Sequence, residues 1–587
     1  MSAPVLKLRA VDLDRQSALA REARIPPLIA QLLLLRGVTT AAAAHAFLNP
    51  RRDGLLDPSE LPGCVEAAER LARAIRDDRS IVIYGDYDVD GVCGTSILWD
   101  CLRLAGARRV EYYIPHRIDE GYGLNAEALR HLKEERGAET VVTVDCGVSA
   151  IKEAAAARGL GLELIITDHH TPGAEWPAAD VVVHPRAPGS AYGFPDLCGA
   201  AVAFKVAWQL CKTFGDGKRA SPHLRDFLVN AMNYVALATI ADVVPLEGEN
   251  RIFVKHGLVG ISRAPSVGLR ALLEVSGCAG KNKLSSGTIG FGIAPRINAA
   301  GRMERARIAV DLLTTIDPER AGEFARVLDE CNARRQGIER QIVQSAHAQI
   351  DEQGGLGERG AIVLGSKEWH AGVIGIVASR MVDAYHRPTI ILAMQDDLAQ
   401  GSARSIPGFD LHHALCECSE GLLAYGGHKA AAGLKLHPSE LPRFAERFDA
   451  YCRAHLAPEM KQRTLWIDAE APLAMWTHEL VDQVDALEPY GMGNPRPLFL
   501  AEPVRILGEV RAVGQDGIHA QLRLSQGPAS LRAVAWNMAK RLREFDTSLE
   551  YSVAFQPQMN EWNGRREVQV EVKDIRPFEG RGSRGTE

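Results

Sequence analysis

Ile81–Gly91 reads IVIYGDYDVDG, a short apolar run that breaks into an acidic turn. The four residues Ile81 to Tyr84 have the composition of a buried strand. Gly85 ends it, Asp86, Asp88 and Asp90 come next at alternate positions, and after Gly91 a helical pattern begins. Carboxylates packed this closely repel one another, so a bare cluster costs stability at neutral pH. A hard divalent ion such as Mg²⁺ or Mn²⁺ removes that cost, because oxygen-rich sites suit it. The plainer alternative is a turn that only caps the next helix, for which aspartate is a common choice.

Working outward, strands and helices alternate. Arg109–Pro115, Thr140–Asp145, Leu162–Asp168 and Asp180–His184 read as strands, with helices over Asn125–Glu135 and Ser149–Arg158. This alternation predicts a parallel sheet covered by helices on both faces. In such sheets ligands bind off the carboxyl ends of the strands. Those ends carry the aspartates of the opening stretch, Asp145-Cys146-Gly147, and Asp168-His169-His170. One aspartate or histidine after a strand is ordinarily a cap or a satisfied polar group, but the same chemistry at three strand ends is hard to explain by capping. A mixed Asp/His set suits Mn²⁺ or Mg²⁺, with aspartates bridging two ions. Asp242, set among apolar neighbours after a helical run at Ala231–Ile240, is a further candidate, since a buried unpaired carboxylate needs a partner.

Residues 1–60 read as a helical N-terminal segment that packs against the residues after it, with helices over Ile29–Arg36 and Ala41–Leu48. Gly290–Arg302, GFGIAPRINAAGR, reads as a glycine-rich loop in which Arg296, Asn298 and Arg302 offer donors. Arginine forks fit phosphate oxygens, and the plain alternative is a tight loop with solvated arginines. Asp317–Glu352 is one long connecting helix. A second α/β unit comes next, in which Ser402 and Arg404 of GSAR and the glycines, His428 and Lys429 of YGGHKAAAG would form an anion pocket. From about Thr464 the pattern changes to short strand-like runs, as in a small β-barrel. Trp536, Phe555 and Trp562 there are available for stacking on bases, core packing being the plain reading of each. Expected boundaries are 1–60, a catalytic α/β domain at 61–316, the connecting helix at 317–353, the second α/β domain at 354–460, the barrel at 461–579 and a disordered tail at 580–587.

Bulk properties narrow the function. A chain of 587 residues is too long for one core, and a net charge of −6 argues against coating nucleic acid by overall charge while leaving room for a local basic groove. Eleven scattered cysteines without a CxxC pair suit a reducing cytoplasm. No apolar run has the length of a membrane span, and no signal-peptide core is present, so a cytoplasmic protein without membrane contact is expected. A monomer is the default expectation.

With these residues assembled, the chain resembles the DHH phosphoesterase family, and within it the bacterial exonucleases that act on single strands. The matching motifs are GDYDVDG at Gly85–Gly91, DCG at Asp145–Gly147, DHH at Asp168–His170 and ADVVPL at Ala241–Leu246. PRINAAGR at Pro295–Arg302, WHAGVIGIVASR at Trp369–Arg380 and GGHKAAAG at Gly426–Gly433 continue them. The resemblance implies a two-lobed core, a long connecting helix and an OB-type, oligonucleotide-binding barrel. It implies that Asp88, Asp90, Asp145, His169 and Asp242 ligate two Mn²⁺ or Mg²⁺ ions, with Asp145 bridging. Asp86, Asp168 and His170 would orient ligands or contact the scissile phosphate. Arg302, Ser402, Arg404, Gly427 and His428 would hold a terminal 5′ phosphate, and Arg296 and Asn298 would track the strand. Relatives that hydrolyse pyrophosphate carry a histidine two residues before the position of Asp86, where this chain has Tyr84. The implied activity is 5′ to 3′ degradation of single-stranded DNA to mononucleotides in repair and recombination. The implied partners are a single-strand-binding protein and a helicase. Two rivals are a phosphodiesterase for short oligonucleotides or cyclic dinucleotides, which the segment after Thr464 disfavours, and a non-catalytic replication scaffold, which the full Asp/His set disfavours.

Overall fold

A computed structural model describes residues 4–580 except 118–119, 264, 282, 304–305, 515 and 563. The chain falls into two compact units. The first comprises Asp57–Asp242 and Gly257–Arg463, and the second comprises Leu6–Leu56, Val243–His256 and the residues from Thr464 onward.

The first unit contains the expected parallel sheet. Its strands are β1 (Ile81–Gly85), β2 (Val110–Tyr113), β3 (Thr140–Val144), β4 (Glu163–Thr167) and β5 (Val181–Val183), in the order β2-β1-β3-β4-β5, all parallel. β1 and β3 are buried along their whole length, as strands covered on both faces must be. The chain enters helix α1 (Val89–Leu104) from β1, and α1 packs against α2 (Gly199–Thr213) and α3 (Pro222–Ala241). Strand order reverses beside β1, so the carboxyl ends of β1, β3 and β4 form the crevice where a doubly wound sheet binds its ligand.

Gly290–Arg302 is not a loop. Residues Thr288–Ile293 form a π-helical turn that runs directly into helix α4 (Ala294–Met303). The glycines that suggest a loop permit close packing instead: a Cβ on Gly301 would stand 2.8 Å from the carbonyl oxygen of Tyr87. Helix α5 (Pro318–Glu352) is the long connector, N-capped by Asp317, whose side chain accepts from the Glu319 and Arg320 N–H groups.

The second sheet of this unit is mixed. β6 (Ile362–Ser366) leads through helix α6 (Ile374–Tyr385) to a parallel β7 (Thr389–Met394), and β8 (Ala399–Arg404), β9 (Leu422–Gly427) and β10 (Ala431–Leu436) complete the order β9-β10-β8-β7-β6. The pairs β7–β8, β8–β10 and β9–β10 are antiparallel.

The second unit is built on a closed barrel of the strands Phe499–Val513, His519–Gln526, Ala529–Ala535, Tyr551–Trp562 and Arg565–Pro577, sealed by pairing of the first with the fourth. The N-terminal helices, expected to pack against the residues next in sequence, instead share one apolar core with the barrel. Leu19, Ile29, Leu32 and Leu33 lie in the same cluster as Phe499, Leu524 and Val553. Phe555 is core, edge-on to Trp476, and not a stacking surface. Trp536 is half exposed with His519 against its ring. The Trp562 side chain and residues 581–587 of the expected tail lie outside the described residues. Among the described residues no helix is long and apolar enough to cross a membrane.

Candidate metal centre and phosphate pocket

Asp86 follows β1 directly, is only 2% exposed, and leaves its Oδ1 without a hydrogen-bond partner. Asp88 is the N-cap of α1, accepting from the Asp90 and Gly91 N–H groups at 2.9 and 3.2 Å. Capping and cation binding are thus compatible at this residue, because the cap engages only Oδ1. Asp90 sits in the first turn of α1, and its two oxygens accept from the Gly199 and Ala200 N–H groups at 2.6 and 2.7 Å. The head of α2 therefore anchors Asp90 through the unsatisfied amides of a helix start. A Cβ on Gly199 would come within 2.6 Å of the Asp145 side chain.

Asp145 leaves β3 with a φ of +64°, a left-handed backbone uncommon outside glycine, and its buried Oδ1 has no hydrogen-bond partner. Asp168, beyond β4, plays a different part. It accepts from the backbone of Val148, His169 and His170 and from His170 Nδ1, the last at 2.7 Å. His169 Nε2 lies 3.1 Å from Asp145, 3.6 Å from Asp90 and 3.6 Å from Asp242, yet makes no hydrogen bond. Asp242 caps the carboxyl end of α3, and the next residue, Val243, is forced to a φ of +59°. Three groups of ligand atoms each fit within 4.8 Å: Asp86, Asp88 and Asp145; Asp145, His169 and His170; Asp90, His169 and Asp242. Asp145 and His169 each belong to two of them, so the groups interlock.

This concentration of acid holds its own charge down. Burial first, and neighbouring aspartates next, push the carboxyls of Asp86 and Asp145 well above the usual range and raise that of Asp88. The same causes push Asp242 up to about 8. Burial lowers His169. Burial opposes charge on His170 as well, but the bond to Asp168 prevails and carries it up to about 9. Asp168 resists its own burial through that bond and falls to about 2. Orphaned oxygens on Asp86 and Asp145 and an orphaned nitrogen on His169, facing one another among like charges, fit a divalent cation.

The phosphate candidates divide. Arg302, near the end of α4, donates to the Gly372 carbonyl at 2.9 Å. Burial, then the charges of Arg117, Arg335 and Arg404, lower it to about 10. Arg404 donates to Ser402 Oγ at 3.1 Å and to the Ala403 carbonyl at 2.8 Å, and is lowered by burial and by Arg117. The first turn of α6 comes down on this pair, with the β-position of Gly375 3.0 Å from both side chains. Arg296 does not join them. It is spent on Asp329 at 2.8 Å and on the carbonyls of Gly292 and Val275. Asn298 accepts from the Val89 N–H at 3.1 Å, so it braces the acidic turn. Gly427 and His428 lie at an exposed hairpin end, the His428 N–H bonded to the Ala431 carbonyl at 2.8 Å. The pairing register places Gly426 and Gly433 in one row with Ser402, leaving bare backbone beside that hydroxyl. Tyr84 is fully buried, its hydroxyl on the Gly123 carbonyl.

Two further residues belong to this edge. The Arg117 guanidinium lies over the Tyr87 ring at 4.8 Å, between the acidic turn and Arg302 and Arg404. Tyr122 places its hydroxyl 3.1 Å from His170 Nε2 and 3.3 Å from the Asp145 carbonyl oxygen. Both lie beyond the end of β2, at the same sheet edge as the aspartates, so the rule that locates Asp145 and Asp168 also points to them.

Comparison with known proteins agrees with this geometry domain by domain. The DHH family N-terminal domain matches residues 80–232, the DHHA1 domain residues 358–454 and the RecJ OB domain residues 467–574. Fold and site thus define a protein of the DHH class with an appended OB barrel. The single-stranded-DNA-specific exonuclease RecJ of Bacillus subtilis is 37% identical over 96% of this chain and 70% of its own length. Its namesake from Escherichia coli is 32% identical over 98% of this chain and 99% of its own. The crystal structure of RecJ in complex with Mn²⁺ from Thermus thermophilus superposes with a TM-score of 0.81 at 34% identity, covering 98% of this chain and 80% of that one. The same protein is also known in complex with Mg²⁺, with a TM-score of 0.75 at 32% identity over 98% of this chain and 79% of that one. The chain belongs to the RecJ family.

Proposed function

We propose that the chain is a single-stranded-DNA-specific exonuclease that hydrolyses phosphodiesters from a 5′ end and releases mononucleotides. The observation that carries this reading is the trio of buried, unpartnered atoms on Asp86, Asp145 and His169, set among like charges and next to the arginine cluster. Asp86, Asp88, Asp90, Asp145, His169 and Asp242 would hold two ions, with Asp145 shared between them. Bound there, Mn²⁺ or Mg²⁺ would acidify water and offset the negative charge that develops on the phosphoryl and leaving oxygens. Asp90, clamped by the head of α2, and Asp88, fixed as a helix cap, hold their carboxylates in place before substrate arrives. Asp168 and Tyr122 hold the His170 ring in place, where it would contact the scissile phosphate. Arg302, Arg404, Ser402 and Arg117 supply donors for a terminal phosphate, and the glycine row beside Ser402 lets the backbone approach it. Anchoring that end sets the register, so one nucleotide is cut per advance. The barrel supplies further strand contact, with Trp536 its candidate stacking residue. Repair and recombination, alongside a helicase and a single-strand-binding protein, is the setting this activity fits.

The test is digestion of end-labelled single-stranded DNA, with and without a 5′ phosphate, in Mn²⁺ or Mg²⁺. Mononucleotides released from the 5′ end, and none from duplex, support the reading. Release from the 3′ end, or equal turnover of dinucleotides and long strands, overturns it.

A further inference from the structure

Resting on that reading, we infer that Phe291 is a stacking platform for a base of the bound strand. Its side chain is 89% exposed, although a phenylalanine ring is a large apolar surface that folding ordinarily buries. Gly290 and Gly292 flank it, so no neighbouring side chain shields the ring from either side in sequence. It stands on the π-helical turn, where the Ala294 N–H reaches back to the carbonyl of Ile289. Such turns are rare and frequently mark functional sites.

The surroundings of this turn place it beside the acidic site. On one side, the β-position of Gly290 lies 3.7 Å from Cγ2 of Ile240, in the last turn of α3 and two residues before Asp242. On the other, α4 lies against the acidic turn, through Asn298 on the Val89 N–H and through Gly301 against the Tyr87 carbonyl. Phe291 precedes Asn298 by seven residues, roughly 10 Å along the axis of the continuous helical segment. The turn that carries Phe291 thus joins the end of the Asp242 helix to the helix that braces Asp88 and Asp90.

The occupant follows from this position. A polyanion drawn to the metal centre and the arginine cluster brings its bases past the same rim, and a single strand leaves their π-faces bare. Aromatic stacking accepts any base, so the contact would favour unpaired strands without reading sequence. Duplex bases, already stacked on their neighbours, gain nothing from the ring.

The experiment compares wild type, Phe291→Ala and Phe291→Trp on 5′-phosphorylated single strands. One abasic residue is moved position by position from the 5′ end, and KM and kcat are read separately. Wild type should show one or two positions at which an abasic residue raises KM by about tenfold. Phe291→Ala should raise KM by about the same factor on intact DNA, keep kcat, and no longer respond to the abasic residue. Phe291→Trp should restore both KM and the response. An unchanged KM in Phe291→Ala, a full abasic penalty persisting in it, or a loss confined to kcat overturns the inference. Thermal melting distinguishes any of these from misfolding. Wild type that cuts no single strand at all fails the function reading itself, whereas an active wild type with an indifferent Phe291→Ala fails only the platform.

Discussion

The acidic edge of the first sheet and the basic cluster around the second hold like charges together by opposite means. Asp86, Asp88, Asp90 and Asp145 are placed by backbone: a strand end, a helix cap, a helix head and a left-handed residue. Arg302, Arg404 and Arg117 are long side chains held by carbonyls, a hydroxyl and an aromatic face. The first arrangement suits a small ion with fixed coordination. The second would tolerate the proposed terminal phosphate, which must move on after each cut. In both, burial first and like charges next oppose ionisation, the carboxyls of Asp86 and Asp145 raised and the guanidiniums of Arg302 and Arg404 lowered. Each region therefore suits a ligand of opposite sign, and the contrast can be broken experimentally from either side.

The largest effect belongs to the acidic edge. Asp145→Ala should cut nucleotide release by on the order of a thousandfold or more while a labelled single strand still binds. Residual activity in preparations free of contaminating nuclease would remove Asp145 from the centre of the site. On the basic side, Arg404→Ala should raise KM for 5′-phosphorylated DNA by about 10- to 100-fold and leave 5′-hydroxyl DNA nearly unchanged. Equal losses on both substrates would mean that Arg404 does not read the terminal phosphate.

Removing metal should distinguish the two regions by stability. Burial, and then Asp90 and Asp88, push the folded Asp242 carboxyl up to about 8 from the ordinary 3.8. A value raised on folding contributes stability that is complete below the unfolded value and lost as pH rises through the folded one. The metal-free protein should therefore melt at progressively lower temperature between about pH 4 and pH 8, and saturating Mn²⁺ should raise Tm by several degrees and flatten that slope. A metal-free profile that is already flat would show that the carboxyls are not held uncharged. The smallest expected effect is at Arg296. Arg296→Ala should leave KM for DNA unchanged and cost about 1 kcal/mol in urea unfolding, through loss of the Asp329 pair. A rise in KM would return Arg296 to the strand path.

Strand ends are the legible part of this protein, because a parallel sheet collects them at one edge whatever the helices do. The placement of Asp86, Asp145 and His169 at one edge needs nothing more than that rule. Arg296 is illegible because its partner, Asp329, lies on the connecting helix, and no local pattern links the two. The helix over Ala294–Met303 is hidden by its glycine, which suggests loop chemistry but serves close contact with Tyr87. The N-terminal helices share a core with strands more than 400 residues away, a distance over which periodicity says nothing. Arg117 and Tyr122 are within reach of sequence reasoning, since they follow β2 as Asp145 follows β3.

Gly199 bears on how the activity could be inherited or lost. It has no chemistry of its own, yet it leaves room for the Asp145 side chain while its amide fastens Asp90. A descendant with alanine at this position would retain every aspartate and histidine of the site and still displace its central carboxylate. A tally of intact ligands would class that lineage as a nuclease when a methyl group had already silenced it.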